Sequence, residues 1–463
     1  MLSRREFVKS SALAGAAAFT GINTEVMAIA PENRITIDDV KSDFEREPLI
    51  RPFGFKGGYM TEIWQSVNYI RSKTGTSKIG LCTQNVLWSD SAVFAAHSES
   101  GGNALMYSLT EHALQLIKGQ TFINPIQLQE ELLDEVYRYG VKITSNPDLR
   151  KTFAMNALVG IDNALWMIYA KENGISNFDE LIPLKYRSAL SHHHKQVASI
   201  PLMAYSIPVN EIVDAVESGY YFMKIKIGQP GTQNEMLSKD IERLTAIHKA
   251  IGNYRTPHTD SGKLPYYFDA NGRYEKKESL LKLIDHAVKI GAYDQIAIIE
   301  EPFAEKAEID VRDIPLRLAA DESAHTDVDA RLRIEMGYKA IALKAIAKTL
   351  SMTIKIANVA KEKGIPCFCA DLTVNPILVD WNKNVAARLD PFPGLGTGLL
   401  ESNGHQNYKN WSIMESYHPY ADANWRKTQK GVFNLDDDFY LKSGGILTDS
   451  EHYTKMFENS TKT

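Results

Sequence analysis

The chain has 463 residues, of which 44% are hydrophobic and 24% charged, with a formal net charge of −5. That composition is globular, and the length suits two or three domains or one large barrel with a further domain. The small negative charge, with no basic run interleaved with aromatics, excludes a nucleic-acid partner, and three cysteines (Cys82, Cys367, Cys369) are too few for a disulfide framework or a zinc cluster, so they read as buried thiols.

The first residues include Ser3-Arg4-Arg5-Glu6-Phe7, then an Ala-rich apolar run over 11–22 and Val26-Met27-Ala28. A charged front, a short weakly hydrophobic centre and small residues at a cleavage point describe an export signal over 1–28. The paired arginines ahead of Phe7 resemble the twin-arginine type, which exports folded proteins, here to the periplasm. The apolar run is too short for a bilayer, so no stable membrane anchor is expected.

Residues 32–195 read as an α+β unit: helical at 59–70, strand-like at 78–89, then helical at 104–118, 127–139 and 152–172. Gly54, Gly57, Gly58 and Ser98-Glu99-Ser100-Gly101-Gly102 read as loops that could close over a site. Successive side chains of His192-His193-His194 point in different directions, which makes the triplet a linker rather than a metal site.

Over 196–405 the rhythm becomes strand, helix, strand. Strands are expected at 221–228, 266–269, 296–300, 316–321, 340–344 and 365–370, with helices at 232–250, 277–290 and 353–363. Strands spaced by helices of this size imply right-handed crossovers and a parallel sheet. Their number is closer to a barrel than to a doubly wound sheet, and no glycine-rich phosphate fingerprint follows the first strand. The expected fold is α/β: a modified (β/α)₈ TIM barrel with an N-terminal α+β capping domain, the segment 406–463 packing back on that domain.

Within 221–228, Met223, Ile225 and Ile227 face one way, Lys224 and Lys226 the other. Two ammonium groups on one face suit either a solvated edge strand or a strand that ends at a polar site. Asp269, Glu300 and Asp321, each at the carboxyl end of a later strand, favour the second, because such ends converge at the mouth of a barrel. Three converging carboxylates repel unless a hard divalent cation lies between them, and oxygen ligands of this kind suit magnesium.

Met223-Lys224-Ile225-Lys226, Phe268-Asp269-Ala270-Asn271, Ile299-Glu300-Glu301-Pro302, Ala320-Asp321-Glu322-Ser323 and Ala342-Leu343-Lys344 resemble the successive strand-end motifs of the enolase superfamily, most closely its muconate-lactonising-enzyme-like branch. Gly160-Ile161-Asp162-Asn163-Ala164-Leu165-Trp166 resembles a helix of that family's capping domain, and the resemblance covers about 150–375. It implies Mg²⁺ held by Asp269, Glu300 and Asp321, with Lys226 and Lys344 as bases on opposite faces of a small-molecule carboxylate. It further implies Lys224 as a carboxylate contact, Asn271 and Glu322 as groups that orient the ligands, and a homo-oligomer. The chemistry implied is removal of a proton α to the carboxylate, the cation stabilising the enediolate. A lysine starts near ~10.4 and must fall by about 2–3, or ~3–4 kcal/mol, to serve as a base near neutrality; Lys224 and the cation push that way. Two opposed lysines favour a racemase or epimerase. A cycloisomerase, an acid-sugar dehydratase or a metal-dependent binding protein without turnover also fits.

The sequence departs from the family pattern in three places. No glycine pair follows the lysine in Lys344-Ala345-Ile346-Ala347-Lys348-Thr349-Leu350-Ser351, which makes Lys348 a rival base. Cys369-Ala370-Asp371-Leu372-Thr373 has no histidine for a His–Asp dyad. In 396–403 only Glu401 could hold a substrate amine.

Overall fold

Two sheets, one antiparallel and one mostly parallel, organise this computed structural model, which describes residues 33–56 and 58–458; the signal reading of 1–28 and the loop reading of Gly57 fall outside them. In the antiparallel sheet β1 (Ile35–Phe55), β2 (Gly58–Ser72), β3 (Ser77–Gln84) and β4 (Thr121–Phe122) run in the order β3-β2-β1-β4. The helical reading of 59–70 is overturned. Met60, Ile63, Trp64, Val67 and Ile70 do repeat at helical intervals. However, β2 pairs on both edges and is covered on both faces, so Gln65, Ser66 and Asn68 are buried with them and the period of two disappears.

After β3 come a short helix α1 (Val86–Ser89), then α2 (Glu99–Ile117), α3 (Pro125–Thr144) and α4 (Lys151–Glu172). The loop expected at 98–102 is instead the start of α2, where Ser98 Oγ caps Gly101 N at 3.1 Å. Helix α4 is mostly apolar and is buried from Thr152 to Ala170, Asn156, Asp162 and Asn163 included, with β2 and β3 on one side and barrel elements on the other. Its backbone touches β3: a Cβ on Gly80 would lie 1.8 Å from the Gly160 oxygen.

The parallel strands are β5 (Gln196–Ile200), β6 (Leu202–Met203), β7 (Met223–Lys226), β8 (Tyr266–Asp269), β9 (Ile296–Glu300), β10 (Leu318–Ala320), β11 (Ala340–Leu343), β12 (Cys367–Cys369) and β13 (Gly398–Glu401). Pairing runs from β6 through β13 in sequence order and returns from β13 to β5, which closes the ring. Pro201 splits the first strand into β5 and β6 because it has no N–H for the ladder. Helices α5 (Val209–Glu217), α6 (Gln233–Ile251), α7 (Lys277–Ile290), α8 (Asp327–Glu335), α9 (Leu350–Glu362) and α10 (Pro376–Ala386) return the chain between strands. The link 301–317 between β9 and β10 carries no helix, a departure from a regular (β/α)₈ pattern. All three cysteines are buried and free.

The C-terminal segment divides its contacts. Strands β14 (Thr428–Gln429) and β15 (Val432–Asn434) extend the barrel sheet at β5, which the expectation of packing on the capping domain did not include. Helix α11 (Glu451–Glu458) does meet the antiparallel sheet, where the Phe457 ring lies tilted against Tyr69 at 5.6 Å between centroids and His452 Nε2 lies 2.8 Å from Glu45 Oε1. No helix among the described residues is long and apolar enough to cross a membrane.

Candidate active site

Parallel pairing sets the site. Lys226 of β7 is in register with Asp269 of β8, and Asp269 with Glu300 of β9. Asp321 and Lys344 follow directly on β10 and β11, and Glu401 ends β13. All these side chains therefore leave strand ends at one mouth of the barrel, where they are buried.

Lys224 Nζ sits among three carboxylates, 2.9 Å from Asp269 Oδ2, 3.0 Å from Glu300 Oε1 and 3.1 Å from Glu401 Oε2. Lys226 Nζ lies 2.5 Å from Asp269 Oδ2 and 2.6 Å from Asn271 Oδ1. Lys344 Nζ lies 2.5 Å from Asp321 Oδ2. Lys348, the rival base, is spoken for: its ammonium donates to the carbonyls of Asp321 at 2.6 Å and Ala324 at 3.1 Å, outside the cavity that holds the other lysines. That cavity has a volume of about 30 Å³, and Phe53, Phe55 and Trp88 of the capping unit line it opposite Lys224, Lys226 and Lys344.

The two glutamates before Pro302 part company. Glu300 points inward, accepting from Lys224 and from the Tyr267 hydroxyl, and burial pushes its pKa up to about 7. Glu301, at φ 39°, turns to accept Asp321 N at 2.8 Å and Ser323 Oγ at 3.0 Å, and burial pushes it up to about 8. Burial also raises Asp321, but Lys344 and Lys348 outweigh it and hold this carboxyl at about 2. For Lys344, burial disfavours the ammonium, yet Asp321 and the other acids outweigh it and its pKa is raised, opposite to the fall a base needs. Lys224 is raised well above its usual value by Asp269, Glu300 and Glu401 against the same burial.

Among the described residues, the carboxylates whose oxygens lie within 4.8 Å of one another are Glu300, Asp321 and Glu322. Asp269, expected in that set, stands outside it, and its Oδ2 is shared by Lys224 and Lys226. Glu322 is closer to the cluster than its expected orienting role suggests, and carries its own cation: Lys56 Nζ lies 2.6 Å from its Oε1, which also accepts Asn271 Nδ2 at 3.1 Å. Asp321 Oδ1 and Glu322 Oε2 are buried without a hydrogen-bond partner, although Lys348 Nζ is 3.3 Å from the former. Hard oxygen donors on Glu300, Asp321 and Glu322 and the unpartnered buried oxygens of Asp321 and Glu322 together fit one divalent cation such as Mg²⁺.

Sequence reasoning missed the residues that the capping unit contributes. Trp88 lies with its ring 4.5 Å from Lys344 Nζ, Phe55 has its ring 5.8 Å from Lys226 Nζ, and Lys56 pairs with Glu322. No spacing in 53–88 points to them. Asp371, by contrast, stands just past β12 and could have been found as a strand-end acid; it accepts Asn403 N at 2.8 Å, and burial pushes it up to about 7. Glu401 accepts Lys224, Asp371 N and Asn403 Nδ2, so internal donors already surround it.

Residues 209–393 match the family described as enolase C-terminal domain-like. The chain is 26% identical over 299 residues to o-succinylbenzoate synthase from Bacillus subtilis (strain 168), covering 62% of this chain and 67% of that protein. It is similar in fold to a dipeptide epimerase from Cytophaga hutchinsonii complexed with Mg and the dipeptide D-Ala-L-Val (TM-score 0.60, 16% identity, 81% of this chain and 89% of the other). It is also similar to N-succinyl Arg/Lys racemase from Bacillus cereus ATCC 14579 (TM-score 0.58, 16% identity, 81% and 89%).

Proposed function

Because residues 209–393 belong to the enolase C-terminal domain-like family, we propose that this chain is an Mg²⁺-dependent racemase or epimerase that removes and returns a proton α to a carboxylate. The observation that carries the reading is the pair of ammonium groups, Lys226 on Asp269 and Lys344 on Asp321, opening into one cavity from different strands. Racemisation needs one group to take the proton and another to deliver one to the opposite face. An elimination would need only one base and one acid.

Glu300 and Asp321 would hold the cation, with Asp269 as the third ligand. Lys224 already bridges Asp269 and Glu300, so these two are arranged to share a positive charge, whereas Glu322 is neutralised by Lys56. When bound, the cation supplies a Lewis acid for the substrate carboxylate and for the charge of the enediolate, and offsets the acids that now hold Lys344 in its ammonium form. Lys224 adds a fixed positive charge beside the carboxylate, and Asn271 fixes Asp269 through its backbone N–H at 2.9 Å. Lys226 and Lys344 exchange the α-proton at their Nζ atoms.

The lining supports an amide-bearing substrate. Trp88 Nε1, a donor, and Asn403 Oδ1, an acceptor, are buried in residues that line the cavity and have no hydrogen-bond partner. An amide offers the acceptor and the donor that match them, as in an N-acyl amino acid or a dipeptide. Export to the periplasm and assembly into a homo-oligomer belong to the same proposal.

The test is α-proton exchange in D₂O with Mg²⁺, across N-acyl amino acids and dipeptides of both configurations. Wild-type protein is expected to wash deuterium into the α-position of either enantiomer. Lys226→Ala and Lys344→Ala are each expected to silence exchange from one enantiomer while abolishing racemisation. Wild-type racemisation by both variants would end the two-base scheme, and binding without any exchange would point to the non-catalytic alternative.

A further inference from the structure

Thr349, between Lys344 and helix α9, has φ 70° and ψ 153°. That backbone region is essentially reserved for glycine, and a β-branched residue stays in it only where the surroundings hold it. Two restraints come from the barrel. Lys348 Nζ donates to the carbonyls of Asp321 and Ala324, and Thr349 Oγ1 accepts Met352 N at 3.2 Å. The third comes from the capping unit. Asp162, buried in the middle of α4, accepts Ser351 N at 3.0 Å and Ser351 Oγ at 2.5 Å, and Trp166 Nε1 donates to the same hydroxyl at 3.0 Å. The first turn of α9 is thereby capped from outside its own segment. Lys344 moves with this turn, because its carbonyl accepts Ala347 N at 3.0 Å and Lys348 N at 2.8 Å.

We propose that Asp162 is a positioning residue for Lys344: by holding the start of α9 it keeps the turn 344–350 in its strained form, and so keeps the Lys344 ammonium on Asp321. The inference rests on Lys344 being one of the two bases. Without Asp162 the strain at Thr349 is free to relax, and the turn that carries Lys344 shifts. A glycine at the same position adopts the observed φ and ψ without strain, so it makes the turn independent of the cap. That dependence separates positioning from a general contribution to stability.

The deciding measurement is amide hydrogen exchange on the full chain without added metal. Asp162→Ala is expected to speed exchange of the amides of 345–352 about tenfold or more, with β7 and β8 unchanged, and Thr349→Gly added to it is expected to restore protection to within about threefold. Asp162→Asn keeps an acceptor for Ser351 N and is expected to stay near wild type. Unchanged exchange in Asp162→Ala, or a rise through the whole barrel that Thr349→Gly does not reverse, overturns the proposal. If Asp162→Ala does not fold alone, its rescue by Thr349→Gly supports the proposal and failure of the double variant overturns it. With N-acetyl-D- and N-acetyl-L-phenylalanine, Mg²⁺ and D₂O, Asp162→Ala should slow α-exchange about tenfold from the enantiomer that Lys344→Ala silences, and less than about twofold from the other. Equal slowing of both overturns positioning. If the two lysine variants fail to separate the enantiomers, the two-base reading falls, and amide exchange still decides whether Asp162 holds the turn.

Discussion

Lys224→Met tests the electrostatics of the site without relying on any substrate. The variant keeps the volume of the side chain and removes an ammonium that lies 2.9, 3.0 and 3.1 Å from Asp269, Glu300 and Glu401. At about 3 Å and an effective dielectric of ~20, each contact is worth ~5 kcal/mol of Coulomb energy before desolvation. Taking one partner from a buried cluster costs ~3–5 kcal/mol net, because the remaining acids are left uncompensated. Glu300 sets the pH dependence. Burial raises it from 4.5 to about 7, so its contribution to stability is fully present below 4.5 and is lost as the pH rises through about 7. That loss is worth ~3 kcal/mol. Without Lys224 the group is pushed further up, and the deficit of the variant must widen from pH 6 to pH 8. Urea denaturation in EDTA, followed by tryptophan fluorescence, measures this directly. The expected result is a loss of ~3–5 kcal/mol at pH 8, a smaller one at pH 6, and a larger stabilisation by Mg²⁺ than in wild type. Curves that superimpose on wild type at pH 8, or a deficit that grows on acidification, would refute the reasoning.

Two further variants probe the same site. Asp269→Asn should weaken Mg²⁺ binding by about tenfold or more, while Glu322→Gln, whose native partner is Lys56, should weaken it only severalfold; isothermal titration with Mg²⁺ distinguishes the two, and the reverse order would make Glu322 the third ligand. Trp88→Leu removes the ring 4.5 Å from Lys344 Nζ. A contact of that kind stabilises the ammonium by ~1–2 kcal/mol when desolvated, so without it Lys344 gives up its proton more readily and α-proton removal by Lys344 should quicken by up to roughly tenfold, with removal by Lys226 little changed.

The barrel was largely legible because most of its strands are short and apolar and most are followed by a helix of matching periodicity, β9 with its helix-free link 301–317 being an exception. Tyr266–Asp269, Lys277–Ile290 and Ile296–Glu300 begin and end where their residue patterns do. The capping unit was less so. Strand β2 has the spacing of a helix, and only its partners on both edges make it a strand. The first turn of α2 contains Gly101 and Gly102, poor helix formers in isolation, and holds through the Ser98 cap and through Glu99, which accepts Thr61 N from β2 at 2.7 Å.

At the site, the motifs along the chain pointed to Lys224, Lys226, Asp269, Glu300, Asp321 and Lys344 as candidates, and the fold brings all six to one mouth, because a parallel barrel sends every strand end there and position at a strand end is a local property. Three-dimensional packing alone determined the rest: that Lys348 is consumed by backbone carbonyls, that Glu301 turns away from Glu300, that Trp88 and Phe55 cover the lysines, and that Asp162 reaches across to α9. Those relations join residues far apart in the chain, and charges and hydrogen bonds act through space. A strand announces where it ends by its own residues, but which ammonium meets which carboxylate depends on what the fold has brought beside it.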